Sequence, residues 1–467
     1  MERLSTEIRF GTDGWRAVID REFTEDKVRL VAQAIAEYLK ETGQADRGIV
    51  VGYDTRRKSR EFAWEVARVL SGNGIHVKIT NKDTPTPVIC YHITRGGFSG
   101  GIMITASHNP PEYNGIKFIP SHGGPASKEI TRRIEELIKE VKEVKLDGNE
   151  LISVFDPKEQ YINFLIEEIG FEFAKKSRLK IIYDPLYGTG RGYVDEILSR
   201  VGINVTTIHD SPDPMFGGLT PEPVKKNLED LMRVVSESKA DLGLATDGDA
   251  DRFAVIEEGK FIHNNLLYPI FLRYFHEKGF KGTIVRTVST SHLIDAIAKE
   301  LGFKVREVPV GFKYIAEVMM KENAFFGCEE SGGLSISSHL LNKDGIFACC
   351  LAVEVRCYMG GSFLDLIDDL LQKYGHRVFL REDLRIDPEK REEIITVVKT
   401  KLPQASFPGK IIKVSTLDGI KLIFDDESWL LVRPSGTEPL LRIYVEARTE
   451  KEGSRLIEAV YNVINQL

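Results

Sequence analysis

The stretch Gly101-Ile102-Met103-Ile104-Thr105-Ala106-Ser107-His108-Asn109-Pro110 decides how the chain is read. Its first four residues form a short apolar run closed by a turn signal, the pattern of a buried strand. Asn109-Pro110-Pro111 marks the turn, because proline disfavours helix at the residue before it. Ser107 and His108 are therefore expected on a loop just past the C-terminal end of a strand, where open α/β sheets bind ligands. A serine hydroxyl so placed is a candidate nucleophile or phosphate acceptor. A polar turn that only caps the strand is the alternative.

Around that loop, strand and helix patterns alternate. Val28, Val31, Ala32, Ile35 and Leu39 share one helical face ended by Gly43, and Gly48 to Tyr53 reads as a buried strand with Asp54-Thr55-Arg56 on the loop after it. A helix through Phe62, Val66, Val69 and Leu70 follows, then a strand from His76 to Thr80. Such alternation predicts a largely parallel sheet covered on both faces. Tyr113 to Phe118 reads as a short hairpin-like segment, Ser127 as the cap of a surface helix, and Lys142 to Glu150 as a linker. The earlier stretch Arg9 to Arg16 is rich in turn formers. Its two glycines would let backbone N–H groups approach an anion, and a plain turn fits equally well.

The second half repeats the theme. A strand from Leu179 to Tyr183 leads to Gly188-Thr189-Gly190-Arg191-Gly192, which matches a dinucleotide loop only loosely because Tyr193 stands at the sixth position. A structural turn is the preferred reading. Asp241 to Thr246 is a strand, followed at once by Asp247-Gly248-Asp249-Ala250-Asp251-Arg252. Three carboxylates at alternate positions offer hard oxygen ligands to one divalent cation. An EF-hand is disfavoured, because Arg252 stands at the glycine position and strands flank the loop. A solvated acidic turn is the plain alternative. Gly311-Phe312-Lys313-Tyr314 starts a helix with a lysine in reach of a ligand, and Gly327-Cys328-Glu329-Glu330-Ser331-Gly332-Gly333 is again a polar loop after a strand. Carboxylate and hydroxyl together suit sugar hydroxyls. From about Gly375 the pattern changes to alternating strands and one helix, an α+β segment with an antiparallel sheet. Within it Arg433-Pro434-Ser435-Gly436-Thr437-Glu438-Pro439, with Arg442 close behind, can cradle a phosphate or can be a Pro-Ser-Gly turn with incidental arginines.

A chain of 467 residues is too long for one ordinary core, which predicts three or four domains. The net charge of -7 gives no general basic surface for nucleic acid. Five cysteines without CxxC spacing read as reduced thiols of a cytoplasmic protein. No apolar run of about 18 residues suggests a membrane span, and the N-terminus does not resemble a secretion signal.

Taken in order, the serine, aspartate, Glu329 and Arg433 loops resemble the four signature loops of the α-D-phosphohexomutases, the phosphoglucomutase and phosphomannomutase superfamily. The resemblance runs from Phe10-Gly11-Thr12-Asp13-Gly14 to Arg442. It implies three similar mixed α/β sandwich domains (1–150, 151–258 and 259–374) and a C-terminal α+β domain (375–467) around a central cleft. It implies that Ser107 carries a phosphoryl group, and that Asp247, Asp249 and Asp251 hold one Mg²⁺ per chain together with an oxygen on Ser107. Arg16, His108 and Lys117 would line the phosphoserine. Gly311, Lys313, Glu329 and Ser331 would contact the sugar, and Arg433, Ser435, Gly436, Thr437 and Arg442 the substrate's own phosphate. A hexose 1,6-bisphosphate would be the intermediate and activator.

Charge neutralisation dominates phosphoryl transfer, so Arg16 and Arg252 are expected to offset charge, and Lys117, near the phosphate and cation, to carry a proton through a lowered pKa. Gly333 departs from relatives that have histidine there, which leaves His339 or Lys343 as the acid or base on that side. The expected protein is a monomer or weak dimer acting on small sugar phosphates, with no nucleic-acid or membrane partner. Glucose is the expected sugar, with mannose accepted; a phosphoglucosamine mutase and a non-catalytic sugar-phosphate binding protein are the alternatives. A serine hydrolase is disfavoured, because no Gly-x-Ser-x-Gly elbow surrounds Ser107.

Overall fold

The computed structural model describes residues 8–146, 149–435 and 440–465. The chain gathers into two compact units, one of residues through Asn264 with Gly311–Ser362, the other of Asn265–Val310 with the chain from Phe363 onward. Three α/β segments and a C-terminal segment built on an antiparallel sheet make up the fold, as the sequence indicates.

In the first unit the strands β1 (Trp15–Val18), β2 (Ile49–Tyr53), β3 (Val77–Thr80), β4 (Gly100–Ile104), β5 (Tyr113–Pro120) and β6 (Ile152–Phe155) form one sheet in the order β1-β5-β4-β2-β3-β6. The pairs among β4, β2, β3 and β6 are parallel, whereas β5 runs antiparallel to both β4 and β1. The sheet is thus mixed, and the segment read as hairpin-like is a full strand of eight residues. The strand β6, beyond the division at residue 150, belongs to this first sheet. Helix Glu25–Glu41 covers one face. Thr24 caps it through its side chain, Glu25 and Asp26 meet the positive end of its dipole, and Lys40 the negative end. Its buried stripe is the expected one, with Val28, Val31, Ala32, Ile35 and Leu39 all at 0% exposure.

A second sheet in the same unit has the order β11-β10-β9-β7-β8, from β7 (Lys180–Asp184), β8 (Asn204–Thr207), β9 (Leu242–Thr246), β10 (Phe253–Glu257) and β11 (Lys260–Ile262). The Gly188–Gly192 stretch is a turn whose Gly190 lies against Tyr183, where a Cβ would come within 2.2 Å of the phenol oxygen. Helix Gly345–Met359 is buried through Val355 and half-buried in its last turn. It begins against the aspartate loop, with Gly345 N–H donating to Ala250 O at 3.0 Å and no room for a Cβ beside Arg252.

In the second unit β12 (Thr283–Thr287) and β13 (Lys304–Val308) pair in parallel. Five antiparallel strands follow, β16 (Val378–Arg385), β17 (Ile411–Ser415), β18 (Ile420–Phe424), β19 (Trp429–Pro434) and β20 (Leu440–Ala447), in the order β16-β20-β19-β18-β17. The numbers β14 and β15 denote Phe326–Cys328 and Leu334–Ile336, an antiparallel pair of the first unit that carries the Glu329 loop. Among the described residues no single helix is long and apolar enough to cross a membrane.

Candidate active site

Ser107 lies on the connection between the antiparallel strands β4 and β5, in the left-handed region at φ 52°. Its N–H donates to Thr105 Oγ1 at 2.8 Å, and Asn109 N–H closes the turn on Ala106 O at 3.0 Å. One buried side chain holds the loop in this shape. The Arg56 guanidinium donates to Ser107 O and Asn109 O at 2.6 Å, to Pro110 O at 2.7 Å and to Tyr113 O at 3.0 Å, and pairs with Asp54 at 3.1 Å. The Phe216 ring lies 4.9 Å from its central carbon. Arg16 donates to Asn109 Oδ1 at 2.7 Å, and His108 Nδ1 is 3.4 Å from the Ser107 hydroxyl.

The Ser107 hydroxyl donates to Asp247 Oδ2 at 2.9 Å. The other oxygen of Asp247 accepts the N–H groups of Asp251 and Arg252 at 2.8 and 3.0 Å. The two loops also meet backbone to backbone, since a Cβ on Gly248 would lie 2.7 Å from Ser107 O. Asp247, Asp249 and Asp251 each offer an oxygen within 4.8 Å of the others, and all three are buried. Burial and the two neighbouring carboxylates push Asp247 well above the ordinary carboxylate range. Oδ1 of Asp249 and Oδ1 of Asp251 are buried without a hydrogen-bond partner. Unpartnered buried oxygens on mutually repelling carboxylates fit a hard divalent cation, and the oxygen-only donor set selects one such as Mg²⁺.

Lys117, on β5, reaches into this cluster. Its ammonium donates to Asp249 at 2.8 Å and Asp251 at 3.2 Å and pairs with Asp13 at 2.8 Å. Burial alone would lower its pKa, but Asp13, Asp249 and Asp251 outweigh burial and hold it well above the ordinary lysine value. The lowered pKa expected for Lys117 belongs to a site holding phosphate and cation; in the metal-free protein the surrounding carboxylates set the opposite direction. Asp13 sits among three cations, with Lys343 and Arg16 each 3.8 Å away in addition to Lys117. Against the opposing effect of burial, these cations hold its carboxyl below the usual range. Gly14 makes this approach possible at φ 90°, since a Cβ there would strike Ile116 O at 2.6 Å.

Of the two candidates for the Glu329 side, the structure brings only Lys343 to the cluster, 3.1 Å from Asp251. Its stem crosses Gly333, where a Cβ would come within 2.6 Å of it. The departure at Gly333 thus leaves room that Lys343 fills. His339 is instead buried between the Phe164 and Phe347 rings and bonded to Asp344 at 2.7 Å, so its place as acid or base is withdrawn. Glu329 is buried and accepts Gly311 N–H at 2.9 Å; burial raises its pKa despite nearby Lys343 and Arg252. Lys313 reaches Gly11 O at 3.4 Å, and Ser331 is half-buried on the same loop as Glu329. Arg252 pairs with Glu222 at 3.3 Å.

The remaining expected residues are in the second unit. Arg433 and Arg442 face each other across the β19–β20 pair. Asp418 accepts from Arg433 Nε and from Val310 N–H, both at 3.0 Å. Ser435 N–H donates to Leu440 O at 2.8 Å across the loop, and Arg391 donates to Ser435 O at 3.0 Å. Gly436 and Thr437 lie outside the described residues.

These loops and sheets are those of a phosphomutase, an isomerase that moves a phosphoryl group within its substrate. The chain belongs to the phosphoglucomutase/phosphomannomutase family, whose α/β/α domains I, II and III match residues 7–145, 159–260 and 263–374 and whose C-terminal domain matches 385–463. It is 33% identical over 452 residues to a phosphoglucomutase/phosphomannomutase of Thermococcus kodakarensis, covering 96% of each chain. It is 30% identical to a phosphoglucosamine/phosphogalactosamine mutase of Sulfurisphaera tokodaii, covering 97% of this chain and 98% of that one. The crystal structure of a phosphoglucomutase/phosphomannomutase family protein from Burkholderia thailandensis shares the fold, with a TM-score of 0.84 at 21% identity over 100% of this chain and 98% of the other.

Proposed function

We propose that the protein interconverts hexose 1-phosphates and hexose 6-phosphates, with glucose phosphates favoured and mannose phosphates accepted. The observation that carries this reading is the Ser107 hydroxyl 2.9 Å from Asp247, at a buried aspartate triad with unpartnered oxygens. Ser107 is the phosphoryl carrier: phosphoserine donates to the free hydroxyl of the substrate, a hexose 1,6-bisphosphate forms, and its other phosphate returns to Ser107. Asp247, Asp249 and Asp251 would hold Mg²⁺, which when bound supplies positive charge for phosphoryl transfer. Arg16 orients the carrier loop through Asn109, and Arg252 offsets charge on the transferred group. His108 lies beside the serine. Lys117, bonded to Asp249 and Asp251 at this cluster, is the proton carrier.

Glu329 and Ser331 read hydroxyls that glucose and mannose share, with Gly311 and Lys313 at the edge of the same subsite. Arg433, Ser435, Gly436, Thr437 and Arg442 hold the phosphate that is not reacting. The working domains follow the four segments 1–150, 151–258, 259–374 and 375–467, except that β6 and β11 belong with the sheets that precede their boundaries, and the sparse cysteines favour the cytoplasm. A glucosamine phosphate as substrate is the second reading, favoured by the likeness to the Sulfurisphaera tokodaii enzyme. Intact mass of the purified chain should show a species heavier by ~80 Da, one phosphoryl group, that is absent from Ser107→Ala. Ser107→Ala should fold and lose nearly all turnover; near-normal turnover in that variant would rule the carrier out. Glucose, mannose and glucosamine 1-phosphates assayed side by side decide the sugar.

A further inference from the structure

Thr86 opens helix Thr86–Gly96, directly after Pro85. It lies 163 residues from Asp249 in sequence and yet binds it twice. Its N–H donates to Asp249 O at 2.9 Å, and its hydroxyl donates to Asp249 Oδ2 at 2.6 Å. Both residues are almost completely enclosed, Thr86 at 1% exposure and Asp249 at 0%.

An aspartate carboxylate turns easily about its last torsion unless something fixes it. Here Oδ2 receives two donors, Thr86 and Lys117, while Oδ1 is buried and receives none. The lysine is a poor lock, because its ammonium is shared with Asp13 and Asp251 and sits on a flexible stem. The threonine is a good one, because a β-branched side chain is stiff at χ1 and the backbone bond registers its Cα against the loop. We propose that Thr86 is a positioning residue of the cation site: its hydroxyl locks the Asp249 carboxylate so that Oδ1 is the oxygen presented to a divalent ion. The inference rests on reading the aspartate loop as the cation site. It gives the first α/β segment a part in metal binding beyond supplying Ser107 and Lys117.

The test is Mn²⁺ titrated into the metal-stripped full chain, followed by the EPR signal of the free ion, for wild type, Thr86→Val, Thr86→Ser and Asp249→Asn. Thr86→Val keeps the shape and loses the hydroxyl, and should bind Mn²⁺ about 10- to 100-fold more weakly, the usual cost of removing a partner of a metal ligand. Thr86→Ser should restore affinity close to wild type. At saturating metal, KM for hexose 1-phosphate should be the same in all three Thr86 forms. A threonine that merely ties helix to loop would lower the thermal midpoint of Thr86→Val and leave Mn²⁺ affinity unchanged, and that result overturns the proposal. So does a serine variant as weak as the valine one. If the valine chain does not fold, Thr86→Ala and Thr86→Ser carry the same comparison, since equal affinity in those two overturns the proposal. Asp249→Asn separates the two failures. Unchanged Mn²⁺ binding there means the loop is not the cation site, whereas lost binding there with full binding in Thr86→Val removes only the role of Thr86.

Discussion

Arg56→Lys is the sharpest probe of how the Ser107 loop is held. The guanidinium serves five acceptors, the Asp54 carboxylate and the carbonyls of Ser107, Asn109, Pro110 and Tyr113. A lysine ammonium has three hydrogens and keeps the charge that Asp54 needs, so at least two acceptors go unmet. Hydrogen bonds from charged donors are worth ~1.5–3 kcal/mol each, which puts the loss at about 3–6 kcal/mol. The lower end is the better figure, because single substitutions above ~4 kcal/mol are exceptional. The loop also carries a left-handed serine, a conformation that costs of order 1–3 kcal/mol and lasts only while its surroundings impose it. Freed from the clamp, the loop relaxes and Ser107 drifts from Asp247, and a misplacement of about 1 Å costs roughly a hundredfold in rate. Urea unfolding and steady-state kinetics read the two effects separately. The expected result is a stability loss of about 3 kcal/mol together with a kcat lower by about a hundredfold. Wild-type unfolding with wild-type kcat would refute the clamp.

Three further outcomes are expected. Arg433→Ala should lower kcat/KM by about ten- to hundredfold, from the loss of one or two charge-assisted hydrogen bonds to phosphate, and an unchanged kcat/KM would move the phosphate cradle elsewhere. Glu329→Gln should depress glucose and mannose 1-phosphate turnover by a similar factor; loss of one alone would show that Glu329 reads the 2-position. His209 is bonded to Asp184 at 3.0 Å, and that bond raises its pKa against the effect of burial. A raised histidine pKa stabilises the fold fully below about pH 6.5 and less as pH rises through the folded value. The gap in thermal midpoint between wild type and His209→Gln should therefore shrink from acidic to alkaline pH, and a constant gap would count against the pair.

The parts of the site that could be read from sequence are those whose chemistry sits within a few consecutive residues. Ser107 and the aspartate triad are of this kind, because period and turn chemistry alone place them after strands. Asp13, Arg56 and Thr86 are not. Each meets its partner across a long stretch of chain, Arg56 at 51 residues from Ser107 and Thr86 at 163 from Asp249, and nothing local announces the meeting. The sign of the Lys117 shift in the metal-free protein was hidden for the same reason: it depends on carboxylates brought in from Asp13 and from the aspartate loop. The direction of β5 was hidden too, since an apolar run shows burial without showing which way a strand runs. Lys343 and His339 look equivalent in sequence, and only packing sends one to Asp251 and the other between two phenylalanine rings.

Gly248, with its α-carbon against the Ser107 carbonyl, has a consequence for how such chains diverge. A side chain there would push on the backbone of the Ser107 loop itself, with no flexible atoms to yield. The first two α/β segments therefore cannot drift apart or be traded with those of a relative as free modules. A chimera joined between them keeps the Ser107 loop in place only when both donors keep the same bare backbone at this crossing, so recombination within the family is confined to partners whose two loops have kept the same fit.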